Sequence, residues 1–264
     1  MERSSGILMH MSSLPSPYGI GSMGKCAYEF VDFLSASGQK YWQLLPLGPT
    51  SVGNSPYSSY STFAGNPYLI DLELLVDDGL LSFDELDAID WGENAERVDF
   101  GQIQQHKDKI LRLAYSRRTE EQMEECMKFR SENRGWLDNY ALYIALKKHF
   151  ENKNWMEWPE DIRKRWPNAI YYYTQLLSEE MEYQFFQQYL FFKQWNLLRA
   201  YAAEKNIKFI GDIPFYVALD SADVWSEPYF FQLDTENRPV EISGVPPDAF
   251  SEDGQLWGNP LYDF

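Results

Sequence analysis

Apolar and polar positions follow two regimes along the chain. Residues 6–11 (Gly6-Ile7-Leu8-Met9-His10-Met11) form a short apolar run closed by Ser12-Ser13-Leu14-Pro15-Ser16-Pro17-Tyr18-Gly19. That is strand length followed by chain breakers. Ala27, Phe30, Val31 and Leu34 then recur at helical spacing, and Gly38 stands where a helix C-cap belongs. Tyr41-Trp42-Gln43-Leu44-Leu45-Pro46-Leu47 is a second strand-length run, stopped by Gly48-Pro49. Strand, helix and strand in about 40 residues predict a βαβ unit with a parallel sheet.

The period changes after residue 75. Ser82-Phe83-Asp84-Glu85 and Thr119-Glu120-Glu121-Gln122 have the capping-box pattern. Leu137, Tyr140, Ala141 and Ile144 fall on one helical face. A longer helix is expected from Ser178, with Glu179 and Glu180 in its first turn, to about Lys205. Strand character returns over 207–217, with Asp212 inside the apolar run. The rest, including 244–248 and 254–260, looks like loops. The expected organisation is 1–75 as first strands and site loops, 76–175 as a helical insertion, and 176–264 as a return to the sheet. Only three strands of the buried kind are visible, far fewer than the eight of a closed parallel barrel. The pattern therefore resembles the front part of a longer protein.

Composition narrows the function. The 264 residues carry 23 Lys plus Arg against 40 Asp plus Glu, a net charge of −17. Such a chain repels phosphate backbones and anionic lipid, which argues against nucleic-acid and membrane partners. No apolar stretch reaches the roughly 18 residues of a membrane span or the about 7–15 of a secretory signal. Two cysteines, Cys26 and Cys126, form no disulfide framework, and a cytoplasmic location is expected. The aromatic share of 17% fits either a large core or flat rings on which sugars stack.

Candidate chemistry is sparse. His10, His106 and His149 stand at no ligand spacing, so no metal site is expected. Phosphate loops and nucleophile elbows are lacking. Asp212 is singled out because a carboxylate within an apolar strand is costly unless paired or functional, and because carboxyl ends of parallel strands are where α/β and barrel folds put their sites. Ser55-Pro56-Tyr57-Ser58-Ser59-Tyr60 reads equally as a ligand-holding loop or a rigid turn. Asp220 or Ser221 is a candidate N-cap for a helix through Trp225. Trp257, between Gly254 and Gly258-Asn259-Pro260, is a large ring in what looks like a flexible loop.

Together these segments closely resemble the 4-alpha-glucanotransferases, also called amylomaltases. The resemblance rests on residues 3–10, 12–21, 41–49, 55–61 and 64–67, then 211–214, 220–225, 244–248 and 257–262. It implies a (β/α)₈ barrel with helical insertions, of which this chain holds the first part. It implies transfer of a 1,4-alpha-glucan segment to the 4-hydroxyl of another glucan or glucose, by a retaining mechanism with two carboxyl groups and with no metal or organic cofactor. By the same resemblance Tyr57, with Ser55 beside it, meets a bound glucose and Asp212 lies on the site floor. Trp257 stands at the donor–acceptor boundary. The loop 244–252, with Asp248, arches over the glucan. The family's nucleophile lies in an Arg-x-Asp-His segment after the Trp-Gly-Asn-Pro motif, with the general acid on the next strand. Both are therefore expected downstream of Phe264, and the upstream triplet Arg97-Val98-Asp99 is no substitute.

Three readings follow. The chain is the N-terminal part of a transglycosylase and inactive alone, with exposed strand edges. Alternatively it is a maltooligosaccharide-binding module without catalysis, or one chain of a split enzyme. Neutral maltooligosaccharides are the expected partners in each.

Overall fold

A computed structural model describes residues 3–51, 53–92 and 97–264. The expected βαβ start is present. Strand β1 (Gly6–Leu8) and strand β2 (Tyr41–Gln43) flank helix α1 (Lys25–Ala36). α1 buries Ala27, Val31 and Leu34 at the expected spacing. Its end is closed by Gly38 at φ 74°, with Gly38 N bonded to Ser35 O and Gln39 N to Leu34 O. That pair of bonds is a Schellman closure, and the left-handed backbone explains the glycine. Gly6 answers to contact instead, since a Cβ there would lie 2.5 Å from Tyr41 O.

Strand β3 (Lys208–Ile210) joins the same sheet in the order β1-β2-β3, all parallel. Ile7, Trp42 and Phe209 share a register row. Side chains alternate across a strand, so this row points one way. Phe30 of α1 meets Trp42 at 4.8 Å between ring centroids, and Trp195 meets Phe209 at 4.8 Å. The opposite face carries Leu8 and Ile210, both exposed. Each strand is therefore three residues long and only half covered, which corrects the expectation of long, buried strands over 6–11, 41–47 and 207–217. Pro46 and Pro214 bring no donor to a ladder, and the hydrogen bonding ends before them.

The helical middle comprises α2 (Glu73–Asp77), α3 (Phe83–Asp87), α4 (Phe100–Ser116), α5 (Glu120–His149), α6 (Glu160–Arg163), α7 (Pro167–Leu176) and α8 (Ser178–Glu204). The capping box at Ser82 is formed, and Thr119 and Gln122 exchange reciprocal bonds of 2.9 and 3.2 Å. Asp99 caps α4 by accepting from Gly101 N and Gln102 N, which gives that carboxylate a structural role. α9 (Ala222–Ser226) is capped by Ser221 rather than Asp220. The loop-rich reading of the C-terminal third fails at one place. β4 (Ile242–Val245) and β5 (Gln255–Pro260) form an antiparallel pair.

The described residues fall into two interleaved units. One comprises Met1–Leu47, Gly65–Glu132 and Phe185–Asp212; the other comprises Gly48–Ala64, Asn133–Gln184 and Ile213–Phe264. These units divide the chain at points other than 75 and 175. Within the first, α8 holds the segment that precedes α2 by two side-chain amides. Gln188 accepts from Gly65 N at 2.8 Å and donates to Gly65 O at 2.9 Å. Gln194 does the same for Asp71, at 2.7 and 3.0 Å. Lys107 of α4 is wholly buried and donates to Ile70 O at 2.6 Å.

Burial drives the Lys107 ammonium down to about 8, with the Asp71 carboxylate opposing the shift. Below pH 8 both folded and unfolded chains carry the charge, and its burial cost is fully present. Between about 8 and 10.5 the folded chain releases the proton first, so this group makes stability rise with pH. A shift of that size corresponds to about 3 kcal/mol. Urea melts of the wild type and Lys107→Met at pH 7 and pH 9.5 are expected to show a stability gain with pH in the wild type that is smaller in the variant. Parallel gains would mean that Lys107 does not titrate in this range.

In the second unit the core is aromatic. Tyr143, Trp158 and Trp225 are buried, with ring centroids 5.5 to 6.0 Å apart. Much of the aromatic share is thus core. Some of it is not, and Tyr57, Phe215 and Trp257 are among the exposed rings.

Candidate functional site

The segment 49–60 folds back on itself. Ser51 N bonds Ser58 O at 2.8 Å, and Tyr60 N bonds Pro49 O at 3.1 Å. Ser59 Oγ donates toward Pro49 O and Ser61 O, at 2.9 and 2.7 Å. Ser55 Oγ accepts from Tyr57 N at 3.3 Å, which fixes the tip. The two sequence readings of this motif are compatible, because a rigid turn is what presents Tyr57 as a half-exposed ring (47%).

β5 supplies the facing ring. Its register with β4 slips between Ile242 and Gly244, so residues 257–259 form a bulge, with Gly258 at φ 78°. Trp257 is not in a flexible loop, as its glycine neighbours suggested, but in the bulged part of β5, next to the paired Leu256. The pairing leaves its ring half exposed (47%), with Nε1 donating to Gln255 Oε1 at 3.0 Å. Asn259 Nδ2 donates to Val217 O at 2.8 Å and so ties β5 to the segment after Asp212. Tyr216 completes the corner, 6.4 Å from Trp257 and nearly parallel to Tyr262.

These parts enclose a cleft of about 630 Å³ within the second unit, lined by Ser55, Tyr57, Tyr216, Gln255, Trp257 and Asn259 among others. The volume lies in the ordinary range for small-molecule sites. Its lining is apolar rings, hydroxyls and amides, without an ionised group. Flat apolar faces beside neutral donors and acceptors suit an uncharged, hydroxylated ligand.

Behind the cleft wall lies an ion pair that the sequence did not reveal. Lys147 Nζ is 2.7 Å from Asp220 Oδ2 and also donates to Asn152 O and Lys153 O, at 2.9 and 2.8 Å. Tyr143 OH donates to Asp220 Oδ1 at 2.7 Å, and Trp155 N at 3.3 Å. Burial and the Asp220 carboxylate push the Tyr143 phenol well above its ordinary range, so it remains a donor. The partners of Asp220 lie 73 and 77 positions away, and no local signal joins them.

Three of the five expected binding residues, Ser55, Tyr57 and Trp257, line this cleft; Asp212 and Asp248 do not. Asp212 is half-buried, two positions beyond the end of β3, and belongs to the first unit. It lies just past the carboxyl end of β3 rather than inside the strand, which corrects one of the two grounds on which it was singled out and agrees with the other. Asp248 is exposed and organises its own turn, accepting from Phe250 N and Ser251 N at 2.8 and 2.9 Å. Gly244 and Val245, expected in a loop over 244–252, are strand residues of β4, so the connection is shorter and runs from 246 to 254. Among the described residues no group of three or more His, Cys, Asp or Glu is placed to hold a metal ion, and no helix is long and apolar enough to cross a membrane.

Comparison with known proteins bears on this geometry. The family profile described as 4-alpha-glucanotransferase, glycoside hydrolase family 77, matches residues 9–264. A 4-alpha-glucanotransferase of Clostridium butyricum is 51% identical over 257 residues, 97% of this chain and 53% of the relative. One of Streptococcus pneumoniae is 47% identical over 265 residues, 100% of this chain and 52% of the relative. The solved structure of the amylomaltase from Streptococcus agalactiae in complex with acarbose superposes with a TM-score of 0.96 at 44% identity, over 99% of this chain and 53% of that one. The chain spans about half the length of the curated relatives it matches.

Proposed function

Because this chain belongs to the 4-alpha-glucanotransferase family, we propose that it supplies a glucan-binding part of such an enzyme. The whole protein would move a segment of a 1,4-alpha-glucan to the 4-position of an acceptor glucan or glucose, with retention at the transferred carbon. The observation that carries this reading is the cleft in which Ser55 and Tyr57 stand with Trp257. Its rings take the flat faces of glucosyl units, and Ser55, Gln255 and Asn259 exchange hydrogen bonds with their hydroxyls. A neutral glucan meets no repulsion from a chain of net charge −17.

Asp212 and Asp248 remain proposed sugar contacts on the strength of the resemblance, outside the lining of this cleft. Retaining transfer needs a nucleophilic carboxylate and a carboxylic acid about 5–5.5 Å apart. The resemblance puts both after the Trp257–Pro260 motif, and neither role is given to a carboxylate of this chain. The first strands of the barrel would be β1, β2 and β3. Their parallel order and the superposition on an amylomaltase support that reading.

Titration of the protein with maltoheptaose, followed by calorimetry and tryptophan fluorescence, tests the proposal. Saturable binding is expected, with no response to the β-linked cellohexaose. Absence of heat and of any fluorescence change up to about 10 mM maltoheptaose, a limit near 3 kcal/mol of affinity, would remove it.

A further inference from the structure

We propose that the second unit carries a binding site for a small oxyanion of phosphate type, built on Arg163, Lys164 and Arg165. The site is a recess of about 180 Å³ that these residues line together with Trp225, Thr235 and Asn237 among others. No described carboxylate is on its lining. The inference is independent of the glucan reading, and no lining residue is shared with the Tyr57–Trp257 cleft.

Unsatisfied donors carry the inference. Arg163 Nε and Arg165 Nη1 are shielded from solvent and have no hydrogen-bond partner. The other contacts of Arg163 are long, with Nη1 3.4 Å from Met156 O and Nη2 3.5 Å from Glu236 Oε2. Charge-assisted bonds of this kind normally measure about 2.7–2.9 Å. A guanidinium has five N–H groups and does not lose its charge in proteins. Unpaired donors inside a fold are costly and call for a partner. Such weak tethers let the Arg163 guanidinium turn onto a ligand in the recess.

Arg165 is placed against conformational preference. It follows α6 at φ 54°, a left-handed backbone in which glycine is the usual occupant and bulky residues are rare. Its N bonds Ile162 O at 3.1 Å and Trp166 N bonds Asp161 O at 2.8 Å, which closes the helix. The side chain lies on another lining residue, with Cζ 4.2 Å from the centroid of Trp225, and Nη2 donates to Asn139 Oδ1 at 2.8 Å. Burial pulls this guanidinium below its ordinary range, with the Glu227 carboxylate opposing the shift. That is the behaviour of a cation short of counter-charge.

The charge pattern agrees. Acids outnumber bases 40 to 23 in this chain, yet three cations stand in succession here. The acids nearby are off the lining. Glu160 pairs with Lys164 at 3.0 Å, and Glu236 lies 3.5 Å from both Lys164 and Arg163. Glu236 is half exposed on a turn organised by Asp234, so it is a loosely held internal substitute for an external anion. Two guanidinium forks and an ammonium suit a dianion with several oxygens better than a single carboxylate. Repulsion by the remaining charges is screened beyond about 8 Å at physiological salt.

Calorimetry with inorganic phosphate, at ionic strength held constant with sodium chloride, tests the proposal. Saturable binding at one site is expected, with a melting temperature that rises with phosphate. Arg163→Gln and Arg165→Gln are each expected to weaken it about tenfold or more. Glu236→Gln removes the competing carboxylate and is expected to tighten it about two- to fivefold, the weight of an exposed ion pair. That gain comes from a solvent-facing side chain and stands even where an arginine variant melts early. Methyl phosphate separates two sources of the same chemistry, and either result supports the site. Equal or tighter binding assigns it to a phosphomonoester, weaker binding to free phosphate. No saturation in both the wild type and Glu236→Gln would overturn the inference, as would phosphate binding that neither arginine variant weakens. A response that added sodium chloride alone reproduces is screening, and overturns it too.

Discussion

Replacing Trp257 by alanine is expected to weaken maltoheptaose binding at the first cleft by roughly ten- to thirtyfold, or about 1.4–2 kcal/mol. The ring lines the cleft from the bulged part of β5 and is about half exposed. Nothing in the core depends on it, so truncation should shift stability by no more than about 0.5 kcal/mol. This separation makes the substitution informative. The lost term is contact between a flat ring and a sugar face, and Trp257→Phe should restore part of it. Tyr57→Ala is expected to act in the same direction and Tyr57→Phe more weakly, because the phenylalanine keeps the face and loses only the hydroxyl. Calorimetric titrations of the four variants beside thermal melts give both quantities. Unchanged affinity in Trp257→Ala and Tyr57→Ala would mean that the cleft does not hold glucan.

The second large effect is on stability. Lys147 is nearly inaccessible, at 5% side-chain exposure against 23% for Asp220, so solvent screens the pair little. Lys147→Met leaves the Asp220 carboxylate without its cation and strands two carbonyls, Asn152 O and Lys153 O. Breaking a buried pair from one side costs about 3–5 kcal/mol. At roughly 2–4 °C per kcal/mol for a chain of this size, the melting temperature should fall by about 6–20 °C. Asp220→Asn keeps an acceptor for Tyr143 OH and Trp155 N, and its loss should be about half as large. The damage is expected to reach the cleft. Trp155 Nε1 donates to Leu219 O at 2.7 Å, and Ala218 and Leu219 are cleft wall. A Lys147→Met melt within about 1 °C of the wild type would show the pair to be dispensable.

What the sequence disclosed was local or periodic. Helix α1 with its Gly38 closure, the boxes at Ser82 and Thr119, and the start of α8 at Ser178 each depend on residues within a few positions. Ser55, Tyr57 and Trp257 could be named because motif segments carry them intact. Strand ends were overrun, because apolar runs continue through residues such as Pro46 and Pro214 that cannot extend a ladder. The β4–β5 pair was hidden by Gly244, Gly254 and Gly258, which resemble loop residues. Asp212 was selected as a charge within a strand and proves to lie beyond it. The Lys147–Asp220 pair, the two interleaved units and the glutamine clamps link residues many tens of positions apart. Such contacts are consequences of topology, and no periodicity announces them.

The clamps also set how fast two particular protons leave the chain. Gly65 and Asp71 lie in irregular backbone, where amide hydrogens usually trade with solvent deuterium quickly. Theirs are held by the side-chain oxygens of Gln188 and Gln194, both buried on α8. Release requires either glutamine to leave a packed interior, a motion linked to separation of α8 from the segment it holds. In a deuterium labelling experiment these two amides should therefore exchange as slowly as the helix interior, although they belong to no helix or strand.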